Sequence, residues 1–175
     1  MEREQLLRRR IRWFTGFFII GLFLSGATAI PLRAEVDWLV EATGAELTAE
    51  QWTDVRPEWA LWLVNVQRTL YETDASHPFL LYGTDWLAFG HFVVALAFVG
   101  ALRDPVRNRW LFDFGLLACG LVIPYALVFG AIRGVPFWWR LIDCSFGVFG
   151  AVPLWFCRRW VKELEETRDL IGDAI

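Results

Sequence analysis

The sequence has few of the residues and motifs from which most catalytic and metal sites are built. It contains two histidines and three cysteines, with no CxxC pair and no His/Cys ligand spacing, which argues against the common zinc sites. It also lacks a GxSxG motif and a convincing Ser/His/Asp set. The net charge of −3 gives no basic excess of the kind that nucleic-acid-binding domains show. We therefore predict no catalytic residue, no metal site and no nucleic-acid partner.

The odd number of cysteines argues against a disulfide framework. Cys119, Cys144 and Cys157 all lie in or at the ends of long apolar runs. Free cysteine is among the most buried residue types, so we predict that all three are small packing residues.

Instead, the sequence contains long runs of apolar residues. Hydrophobic residues make up 56% of the chain and aromatic residues 17%, more than in an average soluble domain. A helix of ~20 apolar residues crosses the ~30 Å hydrocarbon core of a bilayer. Four such runs occur, at 13–30, 82–102, 110–132 and 137–156. The predicted fold class is all-α: an integral membrane four-helix bundle, forming a single transmembrane domain over 1–175.

The first run has a second interpretation, because it follows a basic stretch and ends near Ala27-Thr28-Ala29, which resembles a signal-peptidase cleavage site. The apolar run is longer than the apolar core of most secretory signals. We therefore interpret it as a retained first span.

The segment 31–81 differs in composition, with nine acidic residues against three arginines. Trp59, Leu63, Val66 and Leu70 recur at helical spacing and would share one face. Amphipathic rings such as that of Trp52 collect at the headgroup level of a bilayer. The sequence therefore predicts short amphipathic surface helices between spans one and two.

The distribution of Lys and Arg predicts an orientation. Twelve of the 17 Lys and Arg residues lie in residues 1–12, in the 103–109 turn and in the tail 157–175. Loops on the cytoplasmic side carry an excess of these residues. Both termini are therefore predicted to be cytoplasmic, and the tail, whose Trp160 and Leu164 share a face, is predicted to be a cytoplasmic helix.

Four ionisable residues are predicted to meet at the outer membrane face. Asp85 opens span two, Arg133 ends span three, and Arg140 and Asp143 open span four. Charges there are costly unless they are paired or reach water. We interpret this outer cluster first as ion pairs that join the spans. The alternative is a recognition site for a lipid headgroup, a substrate carboxylate or a coupling proton.

An ion pair is also predicted at the inner face. Arg109 and Asp113 are four residues apart at the start of span three, so a helix places them on one face. The interpretation is structural, as for the outer cluster.

His91 is the one ionisable residue deep within span two, and such residues are functional candidates by default. It can also be a structural residue, with a ring nitrogen bonded for instance to a carbonyl freed by Pro124. The functional interpretations are an axial haem ligand, a pigment ligand, a quinone contact and a proton relay. A haem held by two histidines is disfavoured, because His77 lies outside the spans.

Four phrases of the sequence resemble a group of small four-span bacterial inner-membrane proteins with no assigned activity. They are SGATAIPL at 25–32, YGTDWLAF at 82–89, RDPVRN at 103–108 and RLIDCSFG at 140–147. The resemblance covers most of the chain from span one to span four. It implies a bacterial inner-membrane location and no particular chemistry.

These observations together predict a non-catalytic accessory or scaffold subunit of a larger bacterial membrane complex, such as a respiratory or photosynthetic one, with other membrane subunits as partners. An alternative is a membrane protein that binds a small molecule, a lipid or a cofactor through His91 and the Asp85, Arg140 and Asp143 cluster. A third possibility is a small oligomeric transporter, disfavoured because four spans form a cramped pathway.

Overall fold

The computed structural model of this protein describes residues 2–46 and 57–172. This part of the chain contains six α-helices and one 3₁₀ turn, and no strand occurs within it. The helices are α1 (Glu2–Thr28), α2 (Leu32–Thr43), α3 (Glu58–Ser76), α4 (Tyr82–Arg103), α5 (Arg109–Ile132) and α6 (Phe137–Gly172), and the 3₁₀ turn Pro78–Leu81 precedes α4. The prediction of an all-α fold is confirmed.

Within residues 2–46 and 57–172, four helices are long and apolar enough to cross a membrane: α1, α4 together with the turn before it, α5, and α6 as far as Thr167. They correspond to the four predicted runs, and the chain is a multi-pass membrane protein. Two helices extend beyond the predicted spans: α1 begins at Glu2, and α6 continues unbroken to Gly172, through the tail that the sequence predicted to be helical. Helix formation does not stop at the bilayer surface, because Arg, Lys and Glu are good helix formers. At about 1.5 Å per residue, the 36 residues of α6 extend well beyond the ~30 Å hydrocarbon core.

The contacts within the chain define two compact units. The first contains Met1–Leu22 and Val93–Ile175, and the second contains Phe23–Phe92. Helices α1 and α4 contribute residues to both units.

In the first unit, the N-terminal part of α1, the end of α4, α5 and α6 share one core. Its buried residues are Leu7, Ile11, Phe98, Ala101, Leu111, Phe112, Leu154, Cys157, Val161 and Leu164. The Phe98 ring lies 4.8 Å from that of Phe18 and 6.3 Å from that of Phe112, between ring centres. In a bilayer this close packing, and not removal from water, holds helices together.

The three cysteines have the predicted packing role. All are free thiols, with Cys144 and Cys157 buried and Cys119 partly buried. The sulfur of Cys157 lies 3.6 Å from the hydroxyl oxygen of the buried Thr15, which joins α6 to α1.

In the second unit, α2 and α3 pack against each other through Val36 and Val40 of α2 and Ala60 and Leu63 of α3. Of the residues predicted to share one face of this helix, Leu63 is buried, whereas Trp59 is 37% exposed. The middle of the predicted surface segment, which includes Trp52, lies outside the described residues.

Candidate functional site

His91 makes its hydrogen bond within its own helix. Its Nδ1 lies 2.8 Å from the Leu87 carbonyl oxygen, one turn earlier in α4. A carbonyl only accepts, so Nδ1 carries the proton; in the neutral imidazole Nε2 then presents a lone pair, as in histidines that ligate metals or accept protons. Within the part of the chain that the structure describes, Nε2 has no hydrogen-bond partner. The hydrogen bond that orients the ring is thus made to the Leu87 carbonyl of its own helix.

The absence of a side chain at Gly26 explains why α1 can approach α4 beside His91. A side-chain carbon at Gly26 would lie 2.9 Å from the Cβ atom of His91 and 3.0 Å from the Ala88 carbonyl oxygen. Both distances are shorter than ordinary van der Waals contact. Glycine is therefore required where α1 passes the histidine.

Asp85 lines a cavity of about 450 Å³ in the second unit, together with Arg33, Asp37, Asp74 and Thr84. Among the described residues, the Asp85 carboxylate has no ion-pair or hydrogen-bond partner. Thr84 donates its hydroxyl to the Leu81 carbonyl oxygen over 2.6 Å. Asp85 is therefore the one of these carboxylates that is available to a ligand.

The wall of this cavity is a polar network between α2 and α3. Arg33 is ion-paired and hydrogen-bonded to Asp74, and its guanidinium lies 4.2 Å from the centre of the Tyr71 ring. Asp37 accepts one bond from Gln67 over 2.8 Å and another from the Tyr71 hydroxyl over 2.7 Å. These two donors stabilise the carboxylate and lower the pKa of Asp37. Sequence analysis missed the network, because its partners are 30 or more residues apart.

The remaining members of the predicted outer cluster lie in the first unit, where those described, Arg133, Arg140 and Asp143, form no ion pair with one another. Arg140 donates instead to the Leu127 carbonyl oxygen over 3.1 Å. It can reach the backbone because its aliphatic carbons occupy the space that a side chain at Gly130 would fill. In this unit the structure therefore shows no ion pairs among these three described residues. It shows a hydrogen bond between a side chain of α6 and the backbone of α5 instead.

Arg109 and Asp113 both form ion pairs, but not with each other. Arg109 donates to Glu165 over 3.0 Å, and Arg158 donates to Asp113 over 2.5 Å. The predicted pair is thus corrected to two pairs between α5 and α6. An arginine placed four residues before an aspartate has the less favourable order for a pair within one helix, and the antiparallel α6 supplies opposite charges to both.

The basic segments of the first unit lie together at one end of it. Arg3 of α1 pairs with Glu163 of α6 over 2.6 Å, and Arg10 lies 5.9 Å from the ring centre of Trp160. The start of α1, the start of α5 and the tail half of α6 therefore share this end.

An apolar groove of about 570 Å³ runs between α5 and α6. Small residues, Gly120, Gly147 and Ala151, alternate along it with larger apolar ones. A side-chain carbon at Gly120 would meet no atom within 4 Å, so the space beside it is open. Pro124 has no N–H group to donate to the Gly120 carbonyl. Sequence analysis missed this groove, although Gly147 and Ala151 have the four-residue spacing of small residues that is typical of membrane helix contacts.

The described residues contain no group of three or more His, Cys, Asp or Glu side chains that could hold a metal ion. Three of the candidate sites on these units are therefore the polar cavity at Asp85, the imidazole of His91 and the α5–α6 groove. Comparison with models of known protein families, with curated proteins and with solved structures finds no match to this chain.

Proposed function

We propose that this protein is a non-catalytic accessory subunit that acts as a scaffold in a larger membrane complex. The observation that carries the proposal is the groove between α5 and α6, which we assign to a transmembrane helix of a partner subunit. Contacts between membrane helices are enriched in small residues, because these let two backbones approach closely. Gly120 and Ala151 offer such an approach from two neighbouring helices.

Two features favour a helix over a lipid acyl chain as the occupant. The groove extends over residues 116–123 of α5 and 147–156 of α6, which is about two helical turns. Gly120 also lines the groove, and its carbonyl lacks the usual helical donor because Pro124 has no N–H group. A Ser, Thr or Tyr of a partner helix can donate to this oxygen, whereas an acyl chain cannot.

For the location, we propose a bacterial inner membrane with both termini in the cytoplasm. The excess of Lys and Arg in the segments that share one end of the first unit supports this orientation. The α2–α3 pair, with its acidic residues, would then face the outer side.

The proposal is tested by photo-crosslinking in native membranes. A photo-reactive amino acid at Val152, in the groove, should yield one discrete adduct with another protein. The same residue at Leu96 of α4, which is 71% exposed, should yield lipid adducts only. Lipid adducts alone at Val152 would overturn the assignment. An adduct with a second copy of this chain would show that the groove binds another copy of the protein and not a different subunit.

A matched pair of substitutions tests whether the same groove is needed for the protein to co-purify with its partner. Ala151→Leu fills the groove and should abolish co-purification of the crosslinked partner, whereas Ala97→Leu, at an exposed position of α4, should not. Circular dichroism on both variants shows whether the helices are intact. Retention of the partner by a folded Ala151→Leu variant would contradict the proposal.

A second candidate function is binding of a small cationic molecule or a cofactor, and the specific observation in its favour is the unpaired Asp85 carboxylate in a cavity of about 450 Å³. His91, with its free Nε2, is the candidate for a haem or pigment ligand. The purified protein should then carry a bound molecule, detectable by mass spectrometry or by visible absorption. Loss of that molecule in Asp85→Asn or in His91→Ala would identify the site, and a colourless, ligand-free protein would reject this candidate.

A further inference from the structure

The first unit contains a second, larger cavity of about 920 Å³. It lies along α1, and the end of α4 completes it. Its polar part is formed by Gln5 and by four arginines, Arg8, Arg9, Arg12 and Arg103. The residues of this cavity differ from those of the α5–α6 groove, so it is not accounted for by the scaffold role.

The charges in this cavity are not balanced by the protein. Arg8 pairs with Glu4 over 3.0 Å. Arg9, Arg12 and Arg103 form no ion pair and no side-chain hydrogen bond with any residue in the described ranges. Guanidinium groups bind phosphate through paired, charge-assisted hydrogen bonds. A bound anion of this kind would remove the repulsion among the three unpaired cations.

The cavity becomes apolar within two turns of α1. Further along α1, after the arginines, the cavity is lined by Gly16, Phe17 and Ile20. The Phe17 side chain is 70% exposed, and a side-chain carbon at Gly16 would meet no atom within 4 Å. The cavity thus has a cationic part at the end of a membrane span and an open apolar part that continues along the span.

We propose that this cavity binds an anionic phospholipid. The phosphate would accept hydrogen bonds from Arg9, Arg12 and Arg103, and an acyl chain would lie along Gly16 and Phe17. Basic pockets at the ends of transmembrane helices recognise lipid headgroups in this way. A free phosphate would use only the cationic part, so the apolar part favours a lipid.

The test uses the full chain in a mild non-ionic detergent, titrated with phosphatidylglycerol, phosphatidylcholine or inorganic phosphate and analysed by native mass spectrometry. Phosphatidylglycerol should bind more tightly than phosphatidylcholine. The double variant Arg9→Gln/Arg12→Gln should weaken its binding about thirtyfold, taking about fivefold per arginine near an anionic lipid. The control Arg107→Gln/Arg133→Gln loses the same charge outside the cavity and should bind as the unchanged protein does.

A second variant tests the apolar part and keeps every arginine. Gly16→Leu should weaken phosphatidylglycerol binding and leave any binding of inorganic phosphate unchanged. Inorganic phosphate that displaces the lipid at equal concentration would identify a free-anion site and overturn the proposal. So would equal loss of binding in the two arginine double variants, because the lipid would then respond to overall charge and not to this cavity.

Discussion

Arg158 of α6 donates to the Asp113 carboxylate of α5 across 2.5 Å, and these two residues are 45 positions apart in the chain. The contact closes the end of the α5–α6 hairpin that carries the tail. Both side chains are partly exposed, at 31% and 52%, so solvent screens the attraction and its contribution is modest.

A double-mutant cycle on Asp113→Asn and Arg158→Gln should give a coupling free energy of about 0.5–1 kcal/mol. Thermal unfolding in detergent, followed by circular dichroism, measures the three variants. The pair Lys162–Glu166, at 3.9 Å and more exposed, is the control and should couple by less than about 0.5 kcal/mol. Equal coupling free energies in both cycles would mean that the interhelical pair stabilises the protein no more than an exposed pair within one helix does.

Gly147→Ala should destabilise the first unit by about 1–3 kcal/mol, the usual cost of overpacking. Its new carbon would lie 2.5 Å from the Cys119 carbonyl oxygen, and backbone atoms cannot move aside as a flexible side chain can. Gly21→Ala is the control, because nothing lies within 4 Å of a carbon added there. That variant should be neutral or slightly more stable, since alanine is the better helix former. An unchanged melting temperature for Gly147→Ala would show that α5 and α6 are not in close contact at this point.

Acid should weaken the contact between α2 and α3 through Asp37. Hydrogen bonds from Gln67 and Tyr71 lower the pKa of Asp37 in the folded protein, so its stabilising effect is complete above the unfolded pKa of about 3.9 and is lost as pH falls through the folded value. Asp37→Asn should therefore lower the melting temperature at pH 7, and this effect should diminish as pH falls through the lowered pKa of Asp37.

Glu35 provides a control of opposite sign for that experiment. Burial raises its pKa, so the folded state prefers the protonated form and stability from this group increases as pH falls through the raised value. Glu35→Gln should raise the melting temperature at pH 7, and the gain should disappear in acid. The same pH response in both variants would contradict the assigned environments.

Arg140→Met should lower the stability of the α5–α6 hairpin by about 1 kcal/mol, because it keeps the aliphatic packing and removes one hydrogen bond. The bond lost is the one to the Leu127 carbonyl oxygen, 3.1 Å long. Arg133→Met is the matched control at an exposed position in the same turn region and should change the melting temperature little. If both variants change the melting temperature equally, the hydrogen bond from Arg140 to the Leu127 carbonyl does not contribute to stability.

The spans could be predicted from sequence because crossing a bilayer sets a minimum apolar length, which is independent of how the helices pack. Thus the run 110–132 corresponds to α5, Arg109–Ile132. The fourth span was predicted to end at 156 and to be followed by a helical tail, and in the structure the two form one helix, because the charged residues after the span are equally good helix formers. Apolar composition reflects the bilayer, whereas the length of a helix depends also on the helix propensity of the residues beyond the span.

The partners of charged groups could not be predicted in the same way. Arg109 and Asp113 are neighbours on one helix, yet each bonds to a residue of α6. Which residues of α5 face α6 depends on the register that Gly147 and Cys119 fix, and a single sequence does not contain that register. Similarly, Asp85 was predicted from its place at the start of a span, whereas the network of Arg33, Tyr71 and Asp37 has no local signal.

The continuity of α6 has a mechanical consequence. One helix, α6, carries Val152 in the groove and Glu163 and Glu165 in the tail, and Pro153 lies between them. Pro153 removes one backbone hydrogen bond, so a displacement at the groove reaches the two carboxylates through a helix that can bend at this point. Any such displacement would therefore act on the ion pairs that these carboxylates form with Arg3 and Arg109.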